Sequence, residues 1–204
     1  MNVRLIYPIT FNAGVYFHNQ LIMNNYTAKI FMMTNSESSY ITNMAFDRIK
    51  HFIYNEIDSC VFIAEDDVEQ AKKFIAAGIN ITTLPSEPAD QLIGIMLFYK
   101  LSAITENKML IGEIEISSQL GDGMIYIHSE QENMSDLIVP DWWRTSDLTH
   151  ADPQLTNSEK IVKITQNSVW RELELNWDNQ TSNTATESGN TVVFADFKRT
   201  DETK

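Results

Sequence analysis

The stretch from residue 60 to residue 84 constrains the fold most. An apolar run, Cys60–Ala64, passes into an acidic helix start, Glu65-Asp66-Asp67. Val68, Ala71, Phe74 and Ile75 then recur at helical spacing, and Gly78 precedes a second apolar run, Ile79–Leu84. Strand, helix, glycine stop and strand in this order predict a β-α-β unit, with two parallel strands and a right-handed crossover.

The flanking segments predict what this unit packs with. Residues 1–34 are rich in β-branched and aromatic side chains, with breaks at Pro8, Asn12-Ala13-Gly14 and His18-Asn19-Gln20. They read as short antiparallel strands at about 3–7, 14–18, 20–24 and 28–33. A Ser-rich start leads into Ile41, Met44, Ala45, Ile49, Phe52, Ile53 and Ile57, whose spacing by three and four predicts a helix over 38–57. After Pro85 and Pro88, a helix over 89–105 is apolar on nearly all sides, so it is expected to be packed on most of them. Gly94 within it costs about 1 kcal/mol relative to Ala and therefore marks a close approach to another element or an interface. From Met109 the pattern alternates as a strand, turns at Leu120-Gly121-Asp122-Gly123 and returns through 124–129, which predicts a hairpin.

The expected class is α/β, with α+β the alternative: a mixed β-sheet, one β-α-β unit and two or three helices over residues 1–130. Residues 131–158, polar and turn-rich, read as an irregular connection containing Trp142 and Trp143. Residues 159–204 read as a β-rich extension, with strands at Ile161–Thr165, Val169–Trp177 and Thr191–Phe197 and a flexible segment at 179–190.

Charge limits the partners. Residues 51–150 carry 17 Asp and Glu against 5 Lys and Arg, whereas residues 1–50 carry 2 against 4, so nearly all of the net charge of −13 sits in the middle of the chain. Such a field repels polyanions, which argues against direct nucleic-acid binding, and attracts basic surfaces and metal ions. A hydrophobic fraction of 43% nevertheless supports an ordinary globular core. The single cysteine, Cys60, excludes an intrachain disulfide and predicts a buried, inert thiol in a reducing, cytoplasmic setting. The N-terminus lacks a secretion-signal pattern, and the longest apolar stretch, about 92–101, is too short to span a bilayer, so a soluble protein without membrane contact is expected.

Three features carry candidate chemistry. Glu65, Asp66 and Asp67 follow a buried strand, the place where α/β sheets bind ligands, and their carboxylates have the chemistry to hold Mg²⁺. The simpler explanation is that acidic groups favour a helix start. Pro140-Asp141 introduces Trp142-Trp143-Arg144; in an extended segment one indole would plug the core while the other faced outward with the arginine as a partner anchor. Alternatively, both rings cover the sheet. Glu113 and Glu115, with Glu130 and Glu132 across the hairpin, would form a carboxylate row able to mimic backbone phosphates, or simply a charged solvent face. Among the histidines, His128 lies two residues before Glu130, so the pair would share one strand face; a polar residue on the solvated side is the plainer reading. No nucleophile elbow, phosphate loop or metal-ligand spacing is present.

The sequence therefore favours a non-catalytic acidic interaction protein that binds a basic or mixed protein surface, as an adaptor or a nucleic-acid-mimicking inhibitor, without a cofactor. The alternative is a divalent-metal-dependent phosphate-handling enzyme, with Mg²⁺ as the candidate ion and Glu65, Asp66 and Asp67 at the strand end. Self-association is expected from the apolar surface of helix 89–105.

Overall fold

A computed structural model of the chain describes residues 4–34, 38–130, 139–148 and 168–177. Glu132, the run Ile161–Thr165, the segment 179–190 and the run Thr191–Phe197 lie outside the described residues.

The chain is α/β with a mixed six-stranded sheet, ordered β4-β3-β1-β2-β5-β6. Strands β1 (Arg4–Phe17) and β2 (Gln20–Thr34) form one long antiparallel hairpin, paired from Arg4↔Met33 to Phe17↔Gln20. His18 and Asn19 make its two-residue turn with φ of 47° and 61°, matching the positive φ values that let a tight turn follow the strand twist. Four short strands are thus two long ones. Pro8 does not break β1, because β3 pairs with β1 only at Gly14 and Val15, and the Pro8 half of the strand can leave one edge without a donor.

The β-α-β unit has the expected form. β3 (Val61–Ala64) and β4 (Ile81–Leu84) are parallel and fully buried, and α2 (Val68–Ala76) connects them. β5 (Met109–Ser118) runs antiparallel to β2, with a bulge between Phe31 and Met32 that leaves Gly112 extra, and β6 (Tyr126–Ser129) completes the predicted hairpin. The bulge keeps Ile111, Ile114 and Ile116 all on the core side despite a change in spacing.

Helices cover the two sheet faces unequally. On one face lie α1 (Ser39–His51), which continues as a π-helical turn through Phe52–Ile57, and α3 (Asp90–Thr105). Ser38 Oγ accepts from the Ile41 N–H and caps α1. Their apolar residues join Phe11, Tyr26, Ile30, Phe62 and Ile114 in the main core. On the other face α2 packs Ala71 and Phe74 on Tyr16, Val61, Ile63 and Ile81 as a smaller core confined to the β3–β4 end. α3 is buried along most of its length, as its composition predicts, and a Cβ on Gly94 would come within 2.8 Å of Ile116 Cγ2. This glycine is the close approach read from the sequence. The sheet, α1 and the segment 141–144 enclose α3, so it does not offer the free apolar surface from which self-association was expected.

Residues 169–177 are not a strand. They begin with a short helix, α4 (Ser168–Glu172), which Glu174 closes with φ of 58° while the Leu175 N–H donates to Trp170 O. Trp170, Leu175 and Trp177 all reach the core from this helix and its exit, which is why their spacing fits no clean alternation.

Candidate functional site

On the open side of the sheet, paired residues of β1, β2, β5 and β6 project together: Ile6 with Phe31, Pro8 with Lys29, Gly14 with Met23, Phe31 with Glu113, Lys29 with Glu115, and Glu115 with Ile127. Cross-strand partners share one face, so these pairs define a continuous surface. Ile6 is 60% exposed, Met23 64% and Ile127 52%, and among the described residues no helix covers them. These three are not cross-strand partners of one another: Ile6 and Met23 lie eight β2 positions apart with the exposed Thr27 and Asn25 between, so the face carries separated apolar residues set among polar and charged ones.

The carboxylate row is interrupted. Glu113 stands opposite Ser129 and Glu115 opposite Ile127, while Glu130 lies past the end of β6. Lys29 Nζ sits 2.7 Å from Glu115 Oε2 and neutralises that position. The face is therefore mixed, with Arg4 and Lys29 among its glutamates and apolar side chains, and it does not present a phosphate-like ladder.

Trp142 and Trp143 correct the expectation of an exposed indole. Asp141–Arg144 is a 3₁₀ turn, not an extended segment, so successive side chains do not alternate. Both indoles are buried, Trp143 completely, and their rings meet edge to face at 6.1 Å. Arg144 remains exposed, its guanidinium 5.9 Å from the Tyr99 ring centroid. The residue that fixes this turn is Lys100, whose buried ammonium donates to Trp142 O at 2.8 Å and Thr145 O at 3.0 Å, beside Asp147 at 3.4 Å. A lone lysine in an otherwise apolar helix was the visible signal for it.

A second buried cation, Arg48 of α1, anchors the C-terminal described segment. Its guanidinium donates to Leu175 O, Ile104 O and Glu106 Oε1, and lies 4.7 Å from the Trp170 ring centroid and 3.8 Å from that of Trp177. Burial lowers its pKa, opposed by Glu106. Trp177 Nε1 also donates to Glu106, so one carboxylate ties α3's exit to the segment.

The remaining candidates do not assemble. Glu65, Asp66 and Asp67 are all exposed; Asp67 starts α2 without a side-chain cap, and among the described residues no group of three or more His, Cys, Asp and Glu side chains is placed to hold a metal ion. His128 faces the core against Phe98 and Tyr99 instead of the solvated side, and Glu130 is exposed past the end of β6. Cys60 is buried, accepts from Thr82 Oγ1, and burial pushes its thiol up to about 12, consistent with an inert group. The crevice lined by Gln91, Gly94, Ile116, Tyr126 and His128 offers about 10 Å³, the space of one water.

No family model and no curated protein matches this chain. Among solved structures, an uncharacterised protein from Wolinella succinogenes matches with a TM-score of 0.48 and 10% identity, over 64% of this chain and 99% of that one. A 6-pyruvoyltetrahydropterin synthase from Plasmodium vivax matches with a TM-score of 0.41 and 10% identity, over 63% of this chain and 97% of that one. Among the described residues no helix is long and apolar enough to cross a membrane.

The Lys100 lock has a pH signature. Burial pushes its ammonium down to about 8 from 10.5, with Asp147 opposing the shift. Between those values the unfolded chain binds the proton that the folded chain has lost, so stability rises with pH in this window. Above pH 9 the opposite contribution from Cys60 begins, since its unfolded thiol ionises first. The clean interval is therefore pH 8–9, where the urea midpoint is expected to rise in wild type and stay flat in Lys100→Met. Parallel profiles for the two proteins would disprove this assignment.

Proposed function

We propose that this chain is a non-catalytic interaction protein whose open sheet face docks a protein surface of mixed apolar and basic character. The observation that carries this reading is the mixed face of β1, β2, β5 and β6, where exposed Ile6 and Ile127 stand with Lys29, Glu113 and Glu115, left uncovered by helices among the described residues. Interfaces combine an apolar centre with a charged rim, and the acidic balance of the chain favours a basic partner. Arg144 is exposed beside Tyr99 on the α3 side of the sheet, opposite the open face, and would be a separate contact; Trp142 and Trp143 are buried beneath it. The lone buried cysteine fits a reducing, cytoplasmic setting.

The test is comparative capture from native lysate. Ile6→Asp/Ile127→Asp breaks the open face, whereas Glu69→Ala/Lys72→Ala changes the exposed side of α2. The species held by wild type is expected to be lost only with the first pair, and its binding to weaken as salt rises. Equal capture by both variants would remove the sheet face from consideration. Light scattering of each variant distinguishes a second copy of this chain from a foreign partner.

A further inference from the structure

Residues 168–177 rest on the helix layer, on the side of the sheet away from the open face, as a short module with internal bonds of its own. The Leu173 N–H donates to Val169 O, the Glu174 N–H to Arg171 O and the Leu175 N–H to Trp170 O, so the turn of α4 closes on itself. Side-chain hydrogen bonds fix this module to the rest of the chain. Arg48 Nε donates to Leu175 O at 2.6 Å, Trp177 Nε1 donates to Glu106 Oε2 at 2.9 Å, and Trp170 Nε1 donates to Ser146 O. Trp170 is completely buried, edge-on to His51 with ring centroids 6.1 Å apart, and both Trp170 and Trp177 lie against the Arg48 guanidinium. Arg171, Glu172 and Glu174 are exposed.

The surface beneath is complete without the module. Arg48 also donates to Ile104 O at 3.2 Å and to Glu106 Oε1 at 2.9 Å, both at the exit of α3, so its guanidinium keeps a counter-charge and a direction when Leu175 O is withdrawn. Ser146 follows the turn that Lys100 grips through Trp142 O and Thr145 O. Two preformed halves that meet through buried tryptophans and an arginine have the makeup of a recognition interface, where Trp and Arg dominate the energy. The connection points the same way. Residues 149–167 join the module to Leu148, although Trp170 already touches Ser146, a gap that a few residues at about 3.3 Å each would span. A ligand on such a tether stands at an effective concentration on the order of 1 mM, and a free ligand of the same chemistry competes with it.

We propose that the exits of α1 and α3, with Ser146, form a peptide-docking groove, that residues 168–177 are its resident occupant, and that a partner peptide with two tryptophans seven residues apart replaces them. Arg48 takes a backbone carbonyl of the incoming peptide, Glu106 one indole N–H and Ser146 O the other. The groove reads the spacing of the indoles and not net charge, because the charged residues of the resident segment are exposed. Self-occupancy sets the threshold that a partner must exceed. The groove is independent of the open sheet face.

The probe is a fluorescein-labelled peptide with the sequence of residues 166–179, titrated to about 2 mM against the full chain. Its anisotropy is expected to saturate at least about tenfold lower in concentration with Trp170→Ala/Trp177→Ala than with wild type, since the tethered competitor is then weakened. A peptide with both tryptophans replaced by Ala is expected not to bind. Equal binding by wild type and variant, equal binding of the two peptides, or no binding to the folded variant would overturn the proposal. Should the double variant fail to fold, a protease site inserted between Ser158 and Glu159 lets the segment be cut free from the otherwise wild-type chain. The freed piece is then expected to exchange, with labelled peptide co-eluting with the body of the protein. A freed piece that resists the peptide throughout the titration, or a body that takes up no peptide, would count equally against the groove.

Discussion

Replacing Arg48 with Met is expected to lower the unfolding free energy by about 3–5 kcal/mol, the range for removing one member of a buried, hydrogen-bonded ion pair. Arg48 is 1% exposed and satisfies Leu175 O and Ile104 O together with Glu106. Met fills much of the volume but donates nothing, so two carbonyls lose this donor at once and Glu106 keeps only the Trp177 indole N–H. The two indoles that flank the guanidinium lose a cation contact as well. Glu106→Gln is expected to cost much less, because Glu106 is partly exposed and the amide oxygen still accepts. Urea unfolding followed by tryptophan fluorescence measures both effects, since Trp170 and Trp177 report on the docked segment. A loss below about 1 kcal/mol in Arg48→Met would show that residues 168–177 hold to the core through their apolar rings alone.

What the sequence made legible follows from how local each signal is. The β-α-β unit and α3 declared themselves because an unbroken apolar run and a glycine stop need only neighbouring residues. The β1–β2 hairpin was read as four strands because Pro8 and Asn12-Ala13-Gly14 look like breaks; Pro8 is tolerated because β3 does not reach that half of β1, and Asn12 and Gly14 because they bond to Ser59 and Cys60 just before β3, which are facts about a distant strand. Of the two readings of the Trp142-Trp143 pair, the outward-facing indole fails on local geometry, since the 3₁₀ turn leaves both rings buried whereas an extended chain would separate them; burial of both rings was the other reading. Lys100 and Arg48 were passed over because their partners lie at least 42 residues away in sequence. The open face was half visible: Glu113 and Glu115 were identified, but the apolar residues beside them come from other strands, and Lys29, which neutralises one of them, is 86 positions from its partner. Charge counting located the acidic segment but did not reveal the pairing that turns a row of carboxylates into a mixed surface.

Trp143→Ala is expected to cost about 3–5 kcal/mol, as for other fully buried large aromatic side chains truncated to alanine. The ring is wholly inside the main core, edge to face with Trp142 and stacked near Tyr99. Trp143→Phe should recover a large part of the loss, because Trp143 Nε1 has no hydrogen-bond partner to forfeit and the smaller ring keeps one aromatic contact. This pair of variants separates support from recognition. If the indoles stabilise the turn that Lys100 grips, stability falls and partner capture falls only in proportion to the folded fraction. If Trp143 instead anchored a partner, Trp143→Ala would abolish capture at unchanged stability, an outcome that its complete burial speaks against. The Lys100 hydrogen bonds make the two effects traceable, since a collapsed turn also frees Trp142 O and Thr145 O from the ammonium. The rise in stability between pH 8 and pH 9 should then diminish in Trp143→Ala along with the midpoint itself, because a lysine released to solvent regains its ordinary pKa.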